Sequence, residues 1–314
     1  MTVIDRPPVR RATHSPAKAP ATTRRGIGWT GRAMMIPMLV IFGLFSWYPI
    51  VRAVTMSFQS TNLIDPPKWV GWANYRAVLN DDLLPIAVKN TLIFAGLALL
   101  FGYPVPLLLA VVMSEVRKRK GIFTALAYLP VVVPPVVSVL LWKVFYDGSP
   151  DGVFNKILGW FGLGPYPWLF SSTMAMPSLV LEATWAAAGG TVIIYLAALG
   201  AVPPELYDAA EIDGASIWQK IRHVTMPQLR GVLLITLILQ LIGTAQVFLE
   251  PFLLTGGGPS NATTTVLLLI YQYAFGTSVG GDFGEATALS VMLAITLAIL
   301  SALYFRLTRN WSNS

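Results

Sequence analysis

The sequence predicts an all-α chain, a polytopic bundle of six membrane-spanning helices. Three observations carry that prediction. The 314 residues are 55% hydrophobic and only 12% charged, a balance typical of membrane proteins. The apolar residues gather into six runs, each long enough for a helix of about twenty residues to cross the ~30 Å hydrocarbon layer. The 22 Lys and Arg collect on alternate connecting segments, as the bias of basic residues toward the inner face requires. Runs so long and so uniformly apolar exclude barrel strands, whose side chains alternate. The absence of cysteine excludes disulfides, thiolate zinc sites and cysteine nucleophiles.

Residues 1–30 are rich in Pro, Ala, Thr and Arg without apolar periodicity, and read as a disordered cytoplasmic tail. They lack the apolar core and small-residue cleavage site of a signal peptide. Residues 31–314 form the membrane domain. Its first apolar run, 33–51, is an uncleaved anchor, and five more follow at 87–113, 121–145, 178–199, 231–253 and 286–305. Pro104, Pro106, Pro134, Pro135 and Pro251 fall inside these runs and predict kinks, tolerated where neighbouring helices cover the freed carbonyls. A further apolar stretch at 264–275 is too short to span and reads as re-entrant or interfacial.

With six spans and the N-terminus inside, sixteen Lys or Arg are cytoplasmic: seven before Ala33, four at 117–120, three at 203–230 and two after Phe305. Outer segments hold three, Lys68, Arg76 and Lys156. A seventh span would move Arg306 and Arg309 outside, against the bias. Both termini are therefore expected in the cytoplasm. The basic charge is an orientation signal, and nucleic acid is not implied.

Between the fourth and fifth runs lies a polar island, 201–230, whose centre reads PPELYDAAEIDGASIWQKIRHVTMPQL. Pro203 and Pro204 suit a helix start, where the missing N–H costs nothing. Glu205, Asp208, Glu211 and Asp213 follow in the first turns, where the helix dipole favours negative charge. Gly214 is the natural bend. A second helix follows, with Ile217, Ile221 and Val224 on one face, and Pro227 is expected to close the unit. The expected form is helix, sharp turn, helix, outside the lipid.

This island resembles the EAA loop of ATP-binding-cassette importer permeases, Glu-Ala-Ala, three residues, Gly, nine residues, Ile-x-Leu-Pro. Asp208, Ala209 and Ala210 occupy the triplet, Gly214 the glycine, and Val224, Met226 and Pro227 the closing positions. Asp for Glu, Val for Ile and Met for Leu are departures of like chemistry. The resemblance extends over most of the chain beyond the tail. WVGWANY at 69–75 and LPVVVPPVVSVLLWKVFYDG at 129–148, with Asn155 after it, are similar to segments of sugar-importer permeases. LTGGGP at 254–259, between AQVF (245–248) and IYQYAF (270–275), resembles the maltose-type F subunit. What the resemblance implies is a coupling role for Glu205, Asp208, Ala209, Ala210, Asp213, Gly214 and Pro227 against a cytoplasmic ATPase. It further implies a bacterial inner-membrane location, a second homologous permease, an ATPase dimer, an extracytoplasmic solute-binding protein and a sugar substrate.

Ionisable and amide groups inside the apolar runs are costly there and mark cavities or contacts between helices. Glu182 lies in the fourth run with Trp185 one turn on. In the fifth, Gln240 and Thr244 are four apart, as are Gln246 and Glu250, which places each pair on a shared helical face. These faces either line a sugar pathway or hold helices together. Related permeases often carry an acid directly after the VF of this helix. Here Leu249 stands there and Glu250 follows, a turn of about 100° around a helix.

Catalytic chemistry finds little footing. GTSVG at 276–280 fits a nucleophile-elbow pattern, but that motif needs a downstream histidine, and His14 and His223 are both upstream. No G-x-x-x-x-G-K-[ST] phosphate loop occurs, so no nucleotide cofactor is expected on this chain. Asn261-Ala-Thr263 is a formal glycosylation sequon without expected meaning. The expectation is a transport subunit rather than an enzyme. Import of glycerol-3-phosphate or another polyol derivative, an ion-coupled secondary carrier and a membrane enzyme are the alternatives.

Overall fold

The computed structural model describes residues 29–115, 120–276 and 281–308. Residues 1–28 of the basic tail with His14, the basic residues 117–119, positions 277–280 of the GTSVG match and Arg309 lie outside them. The chain divides into two compact units, Met1–Ile50 and Val51–Ser314.

In the first unit, α1 (Trp29–Phe42) passes through a π-turn at Gly43–Trp47 into α2 (Tyr48–Met56), whose residues from Val51 on belong to the second unit. From Ala33 to Ile50 no residue is buried. A helix apolar all round is what a membrane span requires.

The second unit continues with a short antiparallel hairpin, β1 (Gln59–Ser60) and β2 (Lys68–Trp69), with Gln59 opposite Trp69. Asn74, buried at the start of α3 (Ala73–Leu79), ties it down by donating from Nδ2 to the carbonyls of Ser57 and Gln59, each at 2.9 Å. α4 (Leu83–Leu97) continues through a π-turn at Ala98–Gly102 into α5 (Pro104–Glu115). The wide turn directly ahead of Pro104 absorbs the hydrogen bond that proline cannot make, so the helical span continues from Leu83 to Ser114.

The third span differs from the expected kinked helix. α6 (Lys120–Val132) and α7 (Pro135–Phe145) meet at 97°. Two consecutive prolines act in series: each pushes the residue before it out of the α region, and Pro134 itself is extended, at φ −54° and ψ 133°. After α8 (Val153–Gly159), α9 (Ala175–Gly200) runs 26 residues, about 39 Å at 1.5 Å per residue.

α10 (Pro204–Ile212) and α11 (Ile217–Lys220) form the polar helix pair, and a π-turn at Ile221–Thr225 leads on into α12 (Met226–Ala245). Pro227 therefore does not close the unit. It sits in the first turn of α12, behind a wide turn that accommodates its ring, and the helical run continues from Ile217 to Ala245. The fifth span is thus shifted from the expected 231–253. The chain breaks at Gln246–Phe248, ahead of the expected Pro251 kink, and helix resumes at Leu249 and runs into a π-turn at Pro251–Thr255. α13 (Val266–Phe275), ten residues long, is too short to span, and α14 (Phe283–Thr308) is the last crossing. Among the described residues, five helices are long and apolar enough to cross a membrane, and the bent pair α6–α7 makes a sixth.

Without water to drive helices together, packing in lipid rests on close approach and hydrogen bonds. Gly189 of α9 supplies the first: a Cβ there would lie 2.2 Å from the Ala127 carbonyl oxygen of α6. Tyr195 and Thr236 share a 2.8 Å hydrogen bond between α9 and α12, and Tyr103 donates to the Leu233 carbonyl at 2.7 Å. Around α9, Phe94, Val139, Trp142, Tyr146, Leu179 and Val247 form the largest buried cluster.

Candidate functional site

The polar pair is built by its caps. Gly214 adopts φ +74°, and around it the Gly214 N–H donates to Glu211 O at 3.0 Å and the Ala215 N–H to Ala210 O at 2.9 Å. That is a Schellman ending, with glycine at the left-handed position. Ser216 then opens α11 with a capping box: its N–H donates to Gln219 Oε1 at 2.7 Å, and Gln219 N–H donates to Ser216 Oγ at 3.4 Å. The Ser-x-x-Gln spacing was a signal available in the sequence.

Two contacts fix the pair. Lys220 Nζ donates to Glu211 Oε2 at 2.9 Å, and the Tyr207 and Thr225 hydroxyls are 3.0 Å apart. The Lys220 ammonium, hydrogen-bonded to Glu211, holds that carboxyl below the usual range. Glu205, Asp208, Ala209, Asp213 and Gly214 are exposed, as is Pro227, and Ala210 is half-buried. The sequence placed Ile217 on an apolar face with Ile221 and Val224, but Ile212 and Trp218 on this surface were missed: Ile212, Ile217 and Trp218 are 87%, 77% and 74% exposed beside the turn. Large apolar residues left uncovered beside charged ones mark an interaction surface.

The second feature is a cavity of about 510 Å³ between α4, α9, α12 and the break after α12. α9 contributes Ala183, Thr184, Ala187, Ala188, Thr191 and Ile194, one face at helical spacing. Gln240 and Thr244, one turn apart on α12, both line it. Gln246 and Glu250 line it too, though for a different reason. α12 ends at Ala245, so the two do not share a helical face; the unwound Gln246–Phe248 segment brings both to the cavity. Non-helical backbone at this depth needs partners, and Thr265 provides one, donating from Oγ1 to the Val247 carbonyl at 3.0 Å.

Glu182 and Trp185 do not line the cavity. Glu182 precedes Ala183 by one position, about 100° around the helix, and is 1% exposed; its Oε1 accepts from Ser138 Oγ of α7 at 2.8 Å. Trp185 packs on Trp142, their ring centroids 5.5 Å apart. Sequence reasoning missed Thr184, Thr191, Tyr103 and Phe248. The spacing of small residues along α9 was the signal for the first two.

The glycine-rich turn is also highly organised. Gly256 and Gly257 take φ +61° and +94°, and Thr263, Thr264 and Thr265 are buried behind them. Asn90 Nδ2 donates to the carbonyls of Asn261 at 2.7 Å and Thr264 at 2.9 Å. The sequon's Thr263 is fully buried and donates to the Gly258 carbonyl.

A multi-pass helical bundle with a polar cavity beside an unwound helix, and an exposed helix pair on the same helical run, is the architecture of a membrane transport subunit. Residues 102–312 match the family described as binding-protein-dependent transport system inner membrane component. The chain belongs to that family. It is 31% identical to the trehalose/maltose transport system permease protein MalF of Thermococcus litoralis, over 89% of this chain and 93% of that one. It is 33% identical to the arabinooligosaccharides transport system permease protein AraP of Halalkalibacterium halodurans, over 88% and 86% respectively. A solved bacterial ABC transporter involved in import of the acidic polysaccharide alginate has a chain that superposes with a TM-score of 0.78 at 28% identity. The match covers 90% of this chain and 96% of that one. Family membership sets aside the ion-coupled carrier.

Proposed function

We propose that this chain is one of two membrane-spanning subunits of an ATP-driven, binding-protein-dependent carbohydrate importer. The observation that carries the reading is the continuous helical run Ile217–Ala245, which joins the exposed turn at Gly214 to the cavity wall at Gln240 and Thr244. The relatives named for trehalose, maltose and arabino-oligosaccharides support the sugar. So does a wall of hydroxyls, amides and aromatic rings, since rings stack on pyranose faces and amides bond hydroxyls.

In this reading Gln240, Thr244, Gln246 and Glu250 contact the saccharide, while Glu182 and Trp185 support the wall from behind. Glu205, Asp208 and Asp213 present acids to basic groups of a separate ATPase, with Ile212 and Trp218 filling its apolar groove and Gly214 shaping the turn. The segment 201–230 and both termini are cytoplasmic, as the basic residues require. ATP is hydrolysed by the partner, and the chain itself is not an enzyme. A solute-binding protein delivers the sugar from outside, and a second permease completes the pathway.

The test is reconstitution. The purified chain alone is expected to neither bind nor hydrolyse ATP. Together with its ATPase, second permease and binding protein, it is expected to drive saccharide uptake that stops when ATP is withheld. Hydrolysis by the isolated chain, abolished by a mutation within it, would sink the reading.

A further inference from the structure

The cavity wall carries a charge pattern that sugar transport does not by itself require. Thr184, Thr191, Gln240 and Gln246 offer hydrogen bonds; among the described residues, Glu250 is the one acid in the lining and no Lys, Arg or His lines it. Lys143, on α7, belongs to a separate depression shared with Tyr146 and Asp147, and its ammonium donates to the Leu253 carbonyl at 2.7 Å. Resting on the sugar reading above, we propose that this wall admits neutral and amino-bearing saccharides and turns away those carrying carboxylate or phosphate groups, with Glu250 setting the selection.

Two physical costs oppose an anionic sugar here. An anionic sugar entering the cavity gives up its water, and only a cation or a dense set of donors offsets that loss. This wall has donors for hydroxyls but no cation. It also brings the anion close to a second carboxyl, and like charges repel strongly where water is scarce. A neutral saccharide meets neither cost, and an ammonium on an amino sugar gains from Glu250. Selection of this kind works by an unfavourable contact as much as by a favourable one. The chain would then differ in substrate class from the alginate transporter whose fold it shares. The same absence of a cation speaks against glycerol-3-phosphate as cargo.

The chain has no cysteine, which makes a single introduced thiol a clean reporter. Gly243 lines the cavity, and a Cβ there meets nothing within 4 Å. The experiment follows maleimide labelling of Gly243→Cys in the complete transporter, in nanodiscs and without binding protein. The probes are matched pairs of disaccharides: glucose-, galactose- and mannose-based, each with its uronic-acid counterpart. At least one neutral disaccharide is expected to slow labelling, and its uronic counterpart to need at least tenfold higher concentration. Glu250→Gln, which keeps the shape, is expected to narrow that gap below threefold, and Glu250→Lys to reverse it. Equal protection by both members of a pair overturns the charge selection and leaves the sugar reading standing. Protection by no saccharide overturns both. A tenfold gap that persists in both Glu250 variants overturns the assignment to Glu250.

Discussion

Lys220 reaches back across the Gly214 turn to Glu211, Nζ to Oε2 at 2.9 Å, and so joins the end of α10 to the end of α11. The contact is solvent-exposed on the Glu211 side, 76%, and surface ion pairs fix geometry more than they add stability. Its pH dependence has a definite sign. Because Lys220 lowers the Glu211 pKa, the contact is in place above the ordinary glutamate range and is given up as pH falls through the lowered value. ATPase retention by Glu211→Gln should therefore fall below wild type at neutral pH, and the two should converge at pH values below that lowered pKa. A difference that persists in acid would remove Glu211 ionisation from the explanation.

Gly214 stands at φ +74° with open space where a Cβ would point, so what a side chain meets there is backbone strain rather than a clash. A non-glycine residue in the left-handed region costs about 1–2 kcal/mol, and Asn less than others. Gly214→Val is expected to leave membrane abundance unchanged while ATPase co-purification and vesicle uptake fall at least tenfold. Gly214→Asn should retain most of both. Equal, normal assembly by the two variants would detach the turn from coupling.

Adjacent glycines on α9 make a paired test of helix packing. A Cβ at Gly189 would lie 2.2 Å from Ala127 O, whereas one at Gly190 meets nothing within 4 Å. Gly189→Ala should force α6 and α9 apart and destabilise the chain by about 2 kcal/mol or more, the scale of overpacking in a tight contact. Gly190→Ala should be neutral or slightly stabilising, since alanine favours helix over glycine. Thermal unfolding in detergent, followed by size-exclusion chromatography, separates the two outcomes.

Most of the bundle was legible in the sequence, because long apolar runs report directly on spanning helices. Continuity was harder to read. Pro227 looked like a stop and lies inside a helical run, since a π-turn ahead of it removes the clash that would have ended the helix. Pro134 and Pro135 looked like a kink and give a 97° bend. Both cases turn on how the neighbouring turn takes up a missing N–H, which residue identity alone does not specify. At the cavity, Gln240 and Thr244 followed from helical spacing. Gln246 and Glu250 reached it through an unwound segment that no periodicity describes. Glu182 stands one position off the lining face, a distinction that needs the helix's actual rotation.

The apolar flank of the turn yields its own expectation. Trp218 and Ile212, 74% and 87% exposed, should act as anchors in an interface, where buried aromatic truncation costs about 2 kcal/mol or more. Trp218→Ala is expected to weaken ATPase binding at least tenfold and Ile212→Ala less, with substrate protection of a cavity thiol unchanged. Pull-down titration with the purified ATPase reads this directly. Full-strength binding by the double variant would leave these side chains to lipid.

The unbroken run from Ile217 to Ala245 also has a mechanical meaning. At 1.5 Å per residue its 29 residues make a rod of about 43 Å. Tilting such a rod by about 10° carries one end about 7 Å relative to the other. If the turn couples to an ATPase as proposed, a small rotation there would be enough for a lever of this length to open or shut the wall at Gln240 and Thr244. In that proposal the unwound Gln246–Phe248 segment would be the joint at its tip, anchored by the Thr265 Oγ1 bond to the Val247 carbonyl.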